Sequence, residues 1–372
     1  MTSTQQDLRF MTLALRLAAK GQGTTSPNPM VGALVVRQGD IVGQGFHLRP
    51  GTPHAEIHAL RQAGARARGS TLYLTLEPCC HLKKRTPPCV PAILRSGVRR
   101  VVIAMQDPNP SVKGKGVTAL RRAGLAVVVG VARLEAEVLN RAYCHWMKTG
   151  RPYVTLKAGM TLDGQLATAR GESRWITSEA SRQEVHQLRG SVDGILIGVN
   201  TVLTDNPSLT ARKGARFDTV ASRQPLRIVV DSSLRTPTTA RILAQQDKAK
   251  TIIATTTAAP QARRSALEEK GIEVLTVSAR QGRVSLSALL KELGRRGIMS
   301  VLVEGGGEIN AAMLRDRLVD HVRLYIAPLL LGGQDARGLI GGNSPARLAK
   351  AFRVRRMVVR SLGDDMVVEG EL

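Results

Sequence analysis

Aromatic residues are scarce: phenylalanine, tryptophan and tyrosine together make up 3% of the 372 residues. Proteins that grip single-stranded nucleic acid usually stack bases on such rings. The scarcity therefore argues against that role, although the formal net charge is +25. Cysteine is rarer still, with four in the chain, and three of them fall between positions 79 and 89. That clustering opposes a disulfide framework and suits metal ligation in a reducing compartment, so a cytoplasmic location is expected. No apolar run approaches the roughly 18–20 residues of a membrane span. The first residues, Met1 to Asp7, also lack the basic-then-apolar order of a secretion signal. Acidic residues number 29 against 54 lysines and arginines, and the basic excess runs through both halves. A diffuse basic surface of this kind steers anionic small molecules such as phosphate esters. With 43% hydrophobic residues the chain can bury sizeable cores, and its length suits two domains.

What is present centres on His54-Ala55-Glu56, followed by Glu77-Pro78-Cys79-Cys80-His81 and Cys89. Zinc sites that do chemistry use three nitrogen or sulfur ligands and keep a fourth position for water. His54, Cys79 and Cys89 form such a set. Glu56, two residues from the histidine, is the candidate proton carrier, because the cation lowers the pKa of its water towards neutrality. His-x-Glu…Pro-Cys…Cys is the pattern of zinc-dependent nucleobase deaminases. The spacing is irregular, with nine residues between the cysteines where two are usual. Loop-closure entropy grows slowly with length, so both thiolates can still meet one ion. A closed structural site is the alternative, and it would recruit Cys80 or His81 as its fourth ligand; Glu56 favours the catalytic one.

The hydrophobic pattern of the first half reads as a helix over 7–20, a hairpin of strands 33–36 and 41–47, and a helix from Pro53 to about Ala67. Thr52 is the expected N-cap of that helix, which puts Glu56 in its first turn, where the helix dipole favours an ionised carboxylate. Further strands are expected over 71–76, 100–105 and 127–130, with helices over 91–96, 117–123 and 134–147. The zinc ligands then fall at a strand end and two helix starts, at one edge of an α/β sandwich.

These motifs, with Arg85-Thr86-Pro87-Pro88-Cys89, Met105-Gln106-Asp107-Pro108-Asn109-Pro110 and Ser26-Pro27-Asn28-Pro29, resemble the deaminase half of the bifunctional riboflavin-biosynthesis deaminase/reductase family. The resemblance implies a cytidine-deaminase-like α/β/α domain over 1–148. Its substrate would be a diaminopyrimidinone carrying ribosyl 5-phosphate, contacted by Asn28, His47, Arg85, Asp107 and Asn109. One departure stands out: His81 to Cys89 is one residue longer than the family's loop and lacks its glycine, which bears on where Arg85 lies.

Thr149-Gly150-Arg151-Pro152 punctuates the boundary. Beyond it, strands are expected over 153–157, 194–198, 227–230, 251–254, 273–277 and 300–303. Helices fall over 180–189 (with Ser178 as N-cap), 265–270 and 286–295, an alternation that argues a mostly parallel sheet. Val303-Glu304-Gly305-Gly306-Gly307-Glu308 runs from a strand through glycines into a helix, where bare N–H groups can meet a phosphate. Together with Thr161-Leu162-Asp163-Gly164, Trp175-Ile176-Thr177-Ser178 and Asp205-Asn206-Pro207, it resembles the reductase half of the same family. The resemblance implies a dihydrofolate-reductase-like α/β domain over 152–372 that uses NADPH. Gly159, Trp175, Thr201, Asp205, Ser232 and the run Gly306, Gly307, Glu308, Ile309, Asn310, Ala311 and Ala312 would line the dinucleotide. Ser173, Arg189, Leu209, Arg212 and Glu304 would hold the ribosyl phosphate substrate, with two guanidinium forks suited to one phosphate. No proton donor for the reduction stands out, Asp205 and Glu304 being candidates.

The reading is thus a zinc deaminase followed by an NADPH reductase acting on one small pyrimidine ribosyl phosphate, without nucleic-acid or membrane partners and as a homo-oligomer. The alternatives are that one half alone is active, or that the chain is a nucleic-acid-editing deaminase.

Overall fold

The computed structural model describes residues 3–81, 86–212 and 224–372, and divides into two compact units, Met1–Gly150 and Arg151–Leu372. In the first unit, α1 (Ser3–Ala19) buries Phe10, Met11, Ala14 and Ala18 along one face, the spacing of an amphipathic helix. Asp7 on that face takes both guanidinium nitrogens of Arg100, at 2.7 and 2.6 Å, and the Tyr73 hydroxyl at 2.9 Å. The next strands, β1 (Gly32–Arg37) and β2 (Asp40–Phe46), form a hairpin. Gln38 and Gly39 both have positive φ, 53° and 91°, as a two-residue turn requires. α2 (Ala55–Ala63) lies on this hairpin at backbone distance. A Cβ on Gly45 would fall 2.5 Å from the Ala55 carbonyl oxygen, and one on Gly43 2.1 Å from that of Ala59. Glycine at these two positions thus fixes how deeply the helix that begins after His54 can sit.

The unit continues through β3 (Thr71–Leu76), α3 (Cys89–Arg95), β4 (Arg100–Met105), α4 (Lys115–Arg122) and β5 (Ala126–Val129). It closes with α5 (Arg133–Leu139) and α6 (Arg141–Thr149). Among the described residues the sheet has five strands in the order β2-β1-β3-β4-β5, with β3, β4 and β5 parallel. β3 and β4 read as near-continuous apolar runs because both of their faces are covered.

Three local expectations are corrected. Thr52 does not cap α2; its hydroxyl closes a turn with Arg49 at 2.8 Å, and His54 takes the N-cap position. The helix is α over 55–63 only, tightening to a 3-10 turn at Gly64–Ala67. The single helix expected over 134–147 is two, broken at Asn140 (φ −101°, ψ 24°), whose side chain is drawn to another segment.

The second unit opens with β6 (Tyr153–Thr161) and β7 (Gln165–Ala167), then α7 (Glu179–Ser191), β8 (Gly194–Gly198) and α8 (Val199–Asp205). Ser178 caps α7 as expected, its hydroxyl accepting from the Ser181 N–H at 3.3 Å. β9 (Leu226–Val230), β10 (Thr251–Thr255), α9 (Gln261–Glu268) and β11 (Glu273–Thr276) follow. A small hairpin of β12 (Ala279–Arg280) and β13 (Arg283–Val284) precedes α10 (Leu286–Arg295), β14 (Ser300–Val303) and α11 (Gly307–Arg315). The last elements are β15 (His321–Ala327), β16 (Arg337–Gly338), β17 (Arg355–Leu362) and β18 (Asp365–Glu371).

The main sheet of this unit runs β11-β10-β9-β8-β14-β6-β15-β18-β17 among the described residues. Its ladders are parallel from β11 through β15, and the terminal hairpin β17–β18 adds antiparallel strands at one edge. Helices α10 and α11 bury leucines and Met313 against β6, β8 and β14.

Candidate active sites

In the first unit His54 is extended (φ −74°, ψ 165°) just before α2, and its ring meets the cysteines that follow β3. Its Nδ1 lies 3.6 Å from Cys79 Sγ and 3.3 Å from Cys89 Sγ, and the three ligand atoms all fall within 4.8 Å of one another. The backbone sets this triangle: the Cys89 and Val90 N–H groups both donate to the Cys79 carbonyl, at 3.0 and 3.3 Å, which fixes the start of α3 against the end of β3. The Thr86 hydroxyl lies 3.1 Å from His54 Nε2. A proton on Nε2 directed at that oxygen leaves Nδ1 as the ligating nitrogen, the usual division of labour in a metal-bound imidazole. One imidazole nitrogen and two largely buried thiols are a zinc donor set.

Glu56 stands in the first turn of α2 at 3% exposure, and its Oε2 has no hydrogen-bond partner among the described residues. Burial pushes its carboxyl up, the neighbouring His54 opposing and the Cys79 thiol adding to the rise. Its place in the first turn of α2 sets the helix N-terminus against that burial. An unsatisfied buried carboxyl oxygen beside three converging ligand atoms fits a site that holds an ion and its water.

The expected substrate residues surround this centre in two groups. Asn28 Nδ2 lies 3.0 Å from His47 Nε2, and the His47 ring meets that of His54 edge to face at 5.2 Å. Burial, then the proximity of His54, lowers the His47 pKa to about 4, so this ring is neutral. Asp107 and Asn109 form successive turns after β4, Asp107 Oδ1 accepting from the Asn109 N–H at 2.9 Å. Burial raises the Asp107 carboxyl to about 6. Arg85 lies outside the described residues.

Glu77 carries a function that sequence reasoning passed over. Buried at 3% exposure, it accepts from the N–H groups of Asp107 (3.2 Å), Gly114 (2.9 Å) and Val117 (3.0 Å). One carboxylate at the end of the zinc strand thereby fixes the Asp107 loop and the start of α4.

In the second unit the carboxyl ends of β8, β9 and β14 open into a cleft of about 2880 Å³, ample for a dinucleotide and a second small molecule together. Gly159, Trp175, Thr201, Asp205, Ser232, Gly306, Gly307, Glu308, Ile309, Ala311 and Ala312 line it, as do Ser173, Arg189, Leu209, Arg212 and Glu304. Asn310 does not: it is fully buried, and its side chain donates to the Leu339 carbonyl at 3.0 Å. Trp175 is 70% exposed, with the Arg182 guanidinium 4.5 Å from its ring centre, so it is a wall of the cleft and not part of the core. The glycine-rich turn earns its composition at Gly307, where a Cβ would meet the Gly338 carbonyl oxygen at 2.9 Å. With Gly306 as N-cap, the first N–H groups of α11 border the cleft and suit a dinucleotide phosphate.

A buried charge cluster forms the inner wall. Arg189 donates through Nε and a terminal nitrogen to the two Glu304 oxygens, at 2.7 and 2.9 Å, and Lys157 Nζ lies 3.8 Å from the same carboxylate. Burial alone would raise the Glu304 carboxyl, yet Arg189 and Lys157 bring it down to about 2. Burial likewise lowers Lys157, with Glu304 opposing. The Arg189 fork is thus held on Glu304, and Arg212 lines the same cleft. His186, three residues before Arg189 on α7, lines the same wall, and burial and the two arginines hold its pKa down. Leu156-Lys157 belongs to the reductase resemblance but Lys157 carried no assigned role, and His186 escaped sequence reasoning because a lone basic residue in so basic a chain carries no signal.

Models of known families match both units: the cytidine and deoxycytidylate deaminase zinc-binding region over residues 4–105, and the RibD C-terminal domain over residues 152–368. The chain is 44% identical over 362 residues to the riboflavin biosynthesis protein RibD of Aquifex aeolicus, covering 97% of both chains. With that of Escherichia coli it shares 43% over 368 residues, 97% of this chain and 98% of the other. Among solved structures, RibD of Acinetobacter baumannii superposes with a TM-score of 0.89 at 37% identity, over 100% of this chain and 99% of that one. A diaminohydroxyphosphoribosylaminopyrimidine deaminase/5-amino-6-(5-phosphoribosylamino)uracil reductase from Thermotoga maritima gives a TM-score of 0.86 at 33% identity, over 99% of each chain.

Proposed function

The chain belongs to the bifunctional riboflavin-biosynthesis deaminase/reductase family, and from that premise we propose how its own residues divide the two reactions. It is a zinc-dependent deaminase and an NADPH-dependent reductase. The substrate of the first step is a diaminopyrimidinone ribosyl 5-phosphate. The observation that carries the residue assignment is the convergence of His54, Cys79 and Cys89 beside the unpartnered Glu56 oxygen.

Zinc, when bound by His54, Cys79 and Cys89, acidifies water so that hydroxide is available at neutral pH. Glu56 accepts the water's proton and returns it to the departing amine, so that water is consumed and ammonia leaves. Asn28 and His47 on one side, with Asp107 and Asn109 on the other, hold the pyrimidine. Thr86 keeps the His54 ring in the ligating tautomer.

NADPH supplies the two electrons of the second step, the protein contributing binding, orientation and charge. Gly306 and Gly307 present backbone N–H groups to its phosphates, and Trp175, Thr201, Asp205 and Ser232 line its path. Arg212 anchors the substrate phosphate. Reduction at C1 of the ribosyl group also needs a proton at the ring oxygen, and Lys157 on the cleft wall, whose ammonium is made a readier acid by burial, supplies it.

The test is selective removal of zinc. Treatment with a strong chelator should abolish ammonia release from the diaminopyrimidinone ribosyl phosphate, and zinc should restore it. NADPH oxidation with the deaminated intermediate, measured on the same sample, should be unaffected. Ammonia release that survives complete zinc removal would remove the assignment of the ligand set.

We also propose that the protein is a cytoplasmic homo-oligomer. The oxidation-prone thiols at the zinc set fit a reducing compartment, and among the described residues no helix is long and apolar enough to cross a membrane. Met357, Val358 and Val359 on the edge strand β17 are 63%, 57% and 50% exposed. An apolar edge strand left open invites pairing with another chain. Sedimentation equilibrium should therefore report an oligomer, and Met357→Glu with Val359→Lys should shift it towards monomer while both activities remain measurable.

A further inference from the structure

We propose that the joint between α5 and α6 is a positioning element of the deaminase, in which Asn140 and Tyr143 set the two loops that flank the zinc ligands. The inference rests on the deaminase reading above. It concerns residues beyond the matched deaminase region, which ends at residue 105.

Asn140 occupies the N-cap of α6, where asparagine usually accepts from its own helix, yet its side chain makes no capping bond. It is turned to Met30. Its Oδ1 accepts from the Met30 N–H at 2.8 Å, and its Nδ2 donates to the Met30 carbonyl at 2.9 Å. Both polar groups of one backbone unit are thus satisfied by one side chain, at 2% exposure, in the manner of a strand partner. Met30 is two residues from Asn28, and that short segment carries Asn28 towards His47. The diverted asparagine also explains why α5 and α6 are two helices.

Tyr143 lies three residues on, hence on the same face of the helix. Buried at 5% exposure, its hydroxyl donates to Asp107 Oδ1 at 2.8 Å, the oxygen that also accepts from the Asn109 N–H. One helical turn therefore holds both substrate loops, and the separation of those loops is set by rigid structure and not by the loops themselves. Neither residue is among the zinc ligands or the substrate contacts. Each acts through another, Asn140 through Met30 and Asn28, and Tyr143 through Asp107.

The experiment uses the zinc-loaded full chain and measures steady-state ammonia release, zinc content and NADPH-dependent reduction of the deaminated intermediate on each sample. Tyr143→Phe deletes one hydroxyl without changing the ring. It should raise the deaminase KM about tenfold, the worth of one hydrogen bond to a carboxylate, with kcat, zinc content and reductase activity retained. Asn140→Ala should raise KM further. In an Asp107→Asn background the Tyr143→Phe penalty should shrink, because the two act through one contact. A Tyr143→Phe enzyme with unchanged KM would overturn the proposal. So would one that loses zinc or loses kcat at constant KM, because the role would then be general support of the fold or of the metal. A wild-type chain that releases no ammonia would remove the deaminase reading and this inference with it, an outcome distinct from a silent substitution in an active enzyme.

Discussion

Glu56→Gln is expected to lower ammonia release by roughly 10²–10⁴-fold, the usual contribution of a positioned general acid–base group. Glutamine keeps the shape and the oxygen but cannot accept a proton. The substitution leaves the ligand triangle intact, because His54 Nδ1, Cys79 Sγ and Cys89 Sγ make that set without Glu56. Zinc content should therefore match wild type, as should NADPH-dependent reduction in the second unit. Those two controls separate loss of proton transfer from loss of metal or fold. A Glu56→Gln enzyme that keeps more than a tenth of the wild-type kcat would assign the proton to another group. The candidates near the metal are few: His47 is neutral and paired with Asn28, and Asp107 is held by Tyr143 and the Asn109 N–H.

Glu304→Ala should have the largest effect on stability. The Glu304 side chain is 9% exposed and is the shared counter-charge of Arg189 and Lys157. Removing it leaves two buried cations facing each other, and breaking a buried pair from one side costs about 3–5 kcal/mol. The loss should fall on the unfolding transition of the second unit and on the reductase, with ammonia release retained. Glu304→Gln keeps a hydrogen-bond acceptor for Arg189 and should cost less. The same carboxylate also carries a pH signature. Its pKa in the folded chain, about 2, lies below the ordinary 4.5. A depressed acid pKa means that its stabilisation is fully present above the unfolded value and is lost as the pH falls through the folded one. The stability difference between wild type and Glu304→Gln should thus be constant above about pH 5 and shrink towards pH 2. A difference that is flat over that range would show that Glu304 is not held ionised by its neighbours.

The chemistry of the first unit was legible because ligation restricts residue type and spacing so strongly. A histidine, two cysteines and a nearby glutamate admit few readings, and His54, Cys79 and Cys89 do converge. The alternation of strands and helices was legible too, since β3, β4, β8 and β14 are apolar runs of strand length. What sequence periodicity could not supply was tertiary competition for a side chain. Thr52 looks like a cap but closes its own turn, and Asn140 sits within an amphipathic pattern that its bond to Met30 interrupts. The charge cluster was half visible: Arg189 and Glu304 came from the resemblance with assigned roles, whereas the part of Lys157 shows only in its burial beside Glu304. The end of the chain was the least legible. Met357, Val358 and Val359 are consecutive and all exposed, so β17 shows neither the two-residue alternation of a half-buried strand nor the burial of a central one.

The bonds from Cys89 and Val90 to the Cys79 carbonyl bear on how this enzyme can vary. They staple the two ends of the intervening stretch together, so the approach of the two cysteines is held by backbone bonds at its ends. The residues of that stretch lie between two zinc ligands without being ligands themselves. The same staple marks the stretch as the natural place to introduce diversity when redirecting the deaminase to other pyrimidines.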